Sequence, residues 1–194
     1  AILDEFPTIT NHRASKAYTM LDRIFELKAV DPEFEPSAEN SLAGIAAQQG
    51  LAAKEYAYDR LIAEGGLTMF MMPATSMLDK AMGTIETMMK HPYIVVSLGD
   101  GGAHSTQTCD ASTQTYMLTR WIRGRHGRSI PLAEGIKLIT RDPAISGGFL
   151  DRGLIAPGYK ADLNVIDMER LTLGRPLLVN DLPAAAGRLI MPTT

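Results

Sequence analysis

The chain has 194 residues, 45% of them apolar, and a formal net charge of -3. This length can bury a core, and the composition indicates neither disorder nor a disulfide scaffold. The charge gives no basis for nucleic-acid binding, and no apolar run approaches the roughly 20 residues that span a bilayer, so we expect neither partner. The single cysteine, Cys109, is typical of a reducing compartment, and we expect a cytoplasmic location.

The first part of the chain predicts a strand and two helices. A helical opening from Ala14 changes into a strand near Phe25–Val30. Ser41 is a typical N-cap for a helix that Gly50 ends. The next helix, over 51–63, is amphipathic. Its side chains that we expect to face inward are Tyr56, Leu61 and Ile62.

A strand, a helix and a second strand follow with short joints. Leu67–Met72 is a short apolar strand that Pro73 ends, and the helix after it extends to Met89. Its methionines favour core filling over a metal site. The second strand, Tyr93–Leu98, is continuously apolar over Ile94–Val96, which is typical of a parallel strand buried on both faces. Such a unit places neighbouring strands parallel.

An acid, two glycines and a histidine come directly after this strand. Chemistry in parallel sheets and barrels lies just beyond the carboxyl ends of strands, so Asp100 is a candidate reacting or metal-binding carboxylate, with a structural turn as the alternative. His104 either takes part or only orients Asp100, and the sequence leaves both open. Cys109 beside Asp110 is more typical of a buried thiol next to a capping acid than of a nucleophile.

Two further helices are predicted after residue 112. The first covers 115–124, and the second begins at Pro131 and ends near Thr140. Asp142-Pro143 then begins a short helix that Gly147-Gly148 ends. The basic residues near the first helix favour a solvated helix end over an anion site. They are Arg120, Arg123, Arg125 and Arg128.

The chain changes character after residue 150. Gly153–Ala156 and Ala161–Asp167 are predicted as two strands, with a type II turn at Pro157-Gly158 between them. Beyond Leu171 there are only weak strand signals, around Arg188–Met191. This pattern predicts a small β-element rather than further alternating strands and helices.

Three stretches together resemble a known family. They are Ser97–His104 with Cys109–Ser112, Pro131–Ala144, and Asp151–Asp167. The third contains Gly-x-Ile-x-x-Gly-x-x-Ala-Asp-Leu, a recurring tail of the amidohydrolase superfamily. The sequence is similar to the N-acyl-D-amino-acid deacylase (D-aminoacylase-like) branch of that superfamily.

The resemblance implies an α/β fold, a (β/α)8 metal-dependent hydrolase barrel that binds zinc and carries a small β-domain. Residues 1–150 would be the C-terminal strands and helices of the barrel, and 151–194 part of the β-domain. Asp100 would end the eighth strand, where it binds metal or accepts a proton from metal-bound water and passes it to the leaving nitrogen. His104 and Asp110 would orient Asp100 or contact the substrate.

The zinc ligands of that family are largely missing from this sequence. The sequence has no His-x-His, His-Glu-x-x-His or Cys-x-x-Cys motif, so no self-sufficient zinc site is predicted. We therefore expect the C-terminal part of a zinc amidohydrolase acting on an N-acyl amino acid, inactive alone. It would self-associate or pair with the missing N-terminal part. The alternative is a non-catalytic α/β remnant that serves as a subunit or interaction module.

Overall fold

A computed structural model describes residues 19–28, 32–73, 82–97, 106, 110–125 and 128–191. The chain divides into two compact units, Ala1–Ile85 and Glu86–Thr194. The boundary predicted after residue 150, between barrel and β-domain, stays a prediction. Within the described ranges, every helix is too short or too polar to cross a membrane.

In the part of the first unit that the structure describes, there are two complete α-helices and two short strands. The helices are α1 (Leu42–Gln49) and α2 (Ala53–Ile62), and the strands are β1 (Phe25–Glu26) and β2 (Phe70–Met71). The side-chain oxygen of Ser41 accepts the N–H of Gly44 at 3.0 Å, and Gly50 takes a left-handed conformation with φ 69°. Both predicted ends of α1 are therefore confirmed, because cap chemistry is local.

The core of this unit lies between α1, α2 and the chain before β1. Its buried residues are Leu21, Ile24, Leu42 and Ala57, with Tyr56 and Phe70 packed against them. The inward orientation predicted for Leu61 and Ile62 is wrong, since both are exposed. Helix α2 extends past the core at this end, where Arg60 donates two hydrogen bonds of 2.6 Å to Glu26.

Strands β1 and β2 pair antiparallel, with Phe25 opposite Met71. Both predicted strands form, but each has only two residues. The buried strand predicted over Tyr93–Leu98 is wrong for residues 93–97, which have no regular structure, and Tyr93, Ile94 and Val95 are exposed. The strands of the described residues form two antiparallel pairs, so 93–97 has no parallel neighbour there to satisfy its backbone.

The second unit combines short helices with a hairpin. Helix α3 (Gly83–Met89) contains the division between the units. The other helices are α4 (Thr113–Tyr116), which continues as a π-helical segment (Met117–Ile122), α5 (Leu132–Ile139) and α6 (Arg141–Ser146). The hairpin consists of β3 (Leu177–Leu182) and β4 (Ala186–Ile190), paired antiparallel.

The π-helical segment packs closely against α5. A Cβ placed on Gly135 of α5 would lie 2.4 Å from Cγ1 of Ile122. The helix predicted over 115–124 is confirmed, but its π geometry is not visible in the apolar spacing. The hydroxyl of Thr119 donates to the carbonyl of Thr115 at 2.8 Å, a side-chain bond of the kind that perturbs helices.

The segment after α6 differs from its predicted form. The turn at Pro157-Gly158 is confirmed as type II, because the N–H of Tyr159 donates to the carbonyl of Ala156 at 3.1 Å and Gly158 has φ 86°. The prediction of flanking strands at Gly153–Ala156 and Ala161–Asp167 is wrong, since both segments are irregular. An isolated strand leaves its backbone unpaired, whereas β3 and β4 pair with each other.

Candidate functional site

The predicted site residues fall mostly outside the part of the chain that the structure describes. Asp100, His104 and Cys109 lie outside it. Asp110 begins a single 3-10 turn, Asp110–Ser112, and its side chain also lies outside. The described residues nearest to them in the chain include Thr106 and Ser112.

Both of these described positions contact the β3–β4 hairpin. A Cβ placed on Gly187 of β4 would lie 3.7 Å from the methyl carbon Cγ2 of Thr106. The hydroxyl of Ser112 donates to the sulfur of Met191, just after β4, at 2.9 Å. Thr106 therefore lies beside β4, and Ser112 lies beside the residue that follows β4.

A charged cluster lies around Glu86 of α3. Its carboxylate accepts Lys90 at 2.9 Å, and Arg125 and Arg128 each approach to 3.4 Å. The side chain of Arg125 is only 7% exposed, and its guanidinium lies 4.2 Å from the ring centroid of Trp121. The carboxylate and the aromatic face partly offset the cost of burying this guanidinium.

This geometry corrects the interpretation of the arginines as a solvated helix end. The prediction is wrong for Arg125, which is buried by Glu86 and Trp121. Arg123 is exposed, in agreement with the prediction, and its guanidinium also donates to the carbonyl of Leu171 at 2.5 Å and to that of Met168. The four-residue spacing of Glu86 and Lys90 was the available sequence signal, since side chains four apart near a helix end lie close together.

The recurring tail after residue 150 forms a compact loop against α6. The guanidinium of Arg141 lies 5.4 Å from the ring of Tyr159 and donates to the carbonyl of Arg152 at 3.1 Å. Gly153 has φ 76°, and a Cβ there would lie 2.8 Å from Cα of Arg141. Only glycine fits this conformation and this approach, so the glycine of the motif has a packing role.

The described residues do not form a zinc site. They contain no group of three or more His, Cys, Asp or Glu side chains that could hold a metal ion. The carboxylates of Glu86 and Asp151 form ion pairs with lysine and arginine side chains. These residues do not fit a zinc site, and we derive no step through zinc from their geometry.

Two open grooves lie elsewhere on the second unit. One of about 530 Å³ is lined by Ile122, Arg123, Leu132, Met168 and Glu169. Another of about 430 Å³ lies beside the turn that begins at Asp167, whose carboxylate accepts the N–H groups of Glu169 and Arg170.

Comparison with known proteins identifies the family to which this chain belongs. Residues 9–185 match the model of the amidohydrolase family, so the match covers most of the chain. The chain belongs to the amidohydrolase family, and this membership supports a hydrolase function in general. No match is found among curated proteins or among solved structures.

Proposed function

We propose that this chain is the C-terminal part of a zinc-dependent amidohydrolase that hydrolyses the amide bond of an N-acyl-D-amino acid in the cytoplasm. The family match over residues 9–185 carries the proposal. The deacylase branch rests on the resemblance of Ser97–His104 and of the tail after Asp151. Because His-x-His is absent from the sequence, the first-strand metal ligands would come from a separate N-terminal part.

Residues of this chain would transfer the proton during hydrolysis of the amide bond. Zinc, when bound, supplies a Lewis acid that lowers the pKa of water toward about 7. The carboxylate of Asp100 would accept a proton from the attacking water and deliver it to the leaving nitrogen. His104 and Asp110, in the adjoining loop, would orient Asp100 or contact the substrate.

The catalytic role of Asp100 is tested in the complete protein. We expect Asp100→Ala to lower turnover of an N-acetyl-D-amino acid by roughly 10²- to 10⁴-fold, the usual contribution of a positioned acid–base group. Asp59→Ala, at an exposed position of α2, is the matched control and should leave turnover unchanged. Near-normal turnover of Asp100→Ala would contradict the role of Asp100. A complete protein that hydrolyses no amide would favour the interaction-module alternative.

A second test concerns the metal. Calorimetric titration of zinc into this chain alone should show binding weaker than micromolar, since the main ligands are expected from the N-terminal part. The complete protein, titrated in parallel, should bind zinc tightly. Micromolar or tighter binding by this chain alone would contradict the assignment as a fragment that lacks its ligands.

A further inference from the structure

We propose that the groove between the end of the π-helical segment and the turn at 167–171 binds a free α-amino acid with an apolar side chain. The proposal does not rest on the proposed function, and all of its residues are described and lie in the second unit. Three apolar side chains line the groove together with one arginine and one glutamate. They are Ile122, Leu132 and Met168, with Arg123 and Glu169.

The groove has the size and the lining of a small-molecule site. Its volume is about 530 Å³, within the range of about 300–1,000 Å³ that is usual for such sites. Ile122 is buried, whereas Leu132, at the start of α5, is 55% exposed. An apolar side chain placed against Leu132 would remove apolar surface from water, which favours binding.

The π-helical segment ends at this groove. The N–H of Arg123 donates to the carbonyl of Leu118, five residues earlier, which is the π pattern. The extra residue in this turn shifts the face of the helix on which the last side chains lie. Such turns are rare and are frequent at functional sites, and here the turn places Ile122 and Arg123 beside one groove.

Arg123 is held in place without the use of all its donors. Its Nη2 donates to the carbonyl of Leu171, at 2.5 Å, and to that of Met168. Within the described ranges, Nε and Nη1 donate to no other residue. The guanidinium is therefore positioned by the backbone and keeps donors for a carboxylate, the anion that its planar fork fits.

Glu169 supplies the opposite charge at the same groove. The carboxylate of Asp167 accepts the N–H groups of Glu169 and Arg170, at 3.0 and 3.2 Å, which holds the turn. Among the residues that the structure describes, the carboxylate of Glu169 has no ion-pair partner, and it does not pair with Arg123. A cation and an anion that stay apart on one apolar groove match a zwitterion, with its carboxylate at Arg123 and its ammonium at Glu169.

Leucine is the probe, and both enantiomers are titrated into this chain while NMR follows the methyl groups of Ile122, Leu132 and Met168. We expect saturable shifts of these methyl signals at millimolar leucine, the affinity of a ligand of this size in an open groove. Two analogues separate the charges, because 4-methylpentanoate lacks the ammonium and leucinamide lacks the carboxylate. Both should bind more weakly than leucine. Absence of methyl shifts with either enantiomer would overturn the inference.

Two variants assign the charges to their residues. Glu169→Gln should weaken leucine roughly 3- to 10-fold, between the effects of exposed and buried charge pairs, without weakening 4-methylpentanoate. Arg123→Gln should weaken leucine and 4-methylpentanoate but not leucinamide. Arg123 also holds two carbonyls, so Glu169→Gln decides the case if Arg123→Gln disturbs the groove.

The matched controls are Glu55→Gln and Arg170→Gln, at exposed positions that do not line the groove. Both should leave the affinity for leucine unchanged. A Glu169→Gln variant that weakens leucine no more than Glu55→Gln does would overturn the inference, and so would leucine that binds no tighter than its two analogues.

Discussion

At the scale of single residues, Glu86 shows how neighbouring cations shift the pKa of a carboxyl. The hydrogen bond from Lys90, followed by the charges of Arg128 and Arg125, holds the pKa of this carboxyl below its ordinary value, although burial opposes the shift. A carboxyl whose pKa is lower in the folded than in the unfolded state stabilises the fold above the unfolded pKa. This contribution is lost as the pH falls through the folded pKa.

Glu86→Gln should lower the free energy of unfolding at pH 7 by about 1–3 kcal/mol, because Arg125 loses its carboxylate while it stays buried. The deficit should begin to shrink as the pH falls below about 4.5, the ordinary pKa of a glutamate, and should be lost as the pH falls through the lowered pKa of Glu86 in the folded wild type. Trp121 is the chain's only tryptophan and contacts Arg125, so its fluorescence in urea titrations reports this unit. Glu55→Gln, at an exposed position of α2, is the control. A deficit independent of pH would refute the assigned ion pair.

Ser41 is a second residue whose substitution should have a local effect on stability. Its oxygen accepts the N–H of Gly44, and the residue is buried beside the start of α1. Ser41→Ala should destabilise the unit by about 1 kcal/mol, the usual loss when an N-cap is removed. Hydrogen exchange of the α1 amides measures it. Ser146→Ala, at the exposed end of α6, should have almost no effect, and equal effects of the two changes would exclude capping as the cause.

At the scale of elements, the contact between α5 and the π-helical segment predicts an unusual response to alanine. Gly135→Ala should destabilise the protein by about 1–3 kcal/mol, although alanine is the better helix former, because its Cβ would meet Ile122 at 2.4 Å. Gly83→Ala in α3 is the matched control, since a Cβ there meets nothing within 4 Å. It should be neutral or stabilising. Thermal unfolding followed by circular dichroism compares the two, and a stabilising Gly135→Ala would show that the contact does not exist.

The elements also show which structure the sequence can predict. The start and end of α1 and the turn at Pro157-Gly158 follow from Ser41, Gly50 and Gly158, whose effects act within a few residues. The strand expected over Tyr93–Leu98 depends on neighbours that its own residues do not specify. Pairing of β1 with β2 joins residues more than 40 positions apart, and no local pattern encodes that choice.

At the scale of the whole molecule, the family is easier to predict than its site. The match over residues 9–185 shows the amidohydrolase family, and in the tail Gly153 and Gly158 take positive φ. The position of Thr106 near Gly187 could not be predicted, since no local pattern encodes the approach of two segments so far apart in the sequence. The burial of Arg125 could likewise not be predicted from the sequence, because arginine is usually exposed in proteins. Arg125 is buried only because of the residues that pack against it in the structure.

At this scale, the exposed apolar side chains after α6 predict self-association of the chain. Val165 is fully exposed, and Ile155 and Leu163 are largely exposed. Apolar surface of this kind favours association, so we expect the chain to self-associate as its concentration rises. Replacing both Leu163 and Val165 by threonine should shift the association to higher concentration in analytical ultracentrifugation. The matched control replaces Leu51 and Ile62, exposed in the first unit, by threonine. A wild-type chain that stays monomeric, or an equal shift in both double variants, would show that this segment does not drive association.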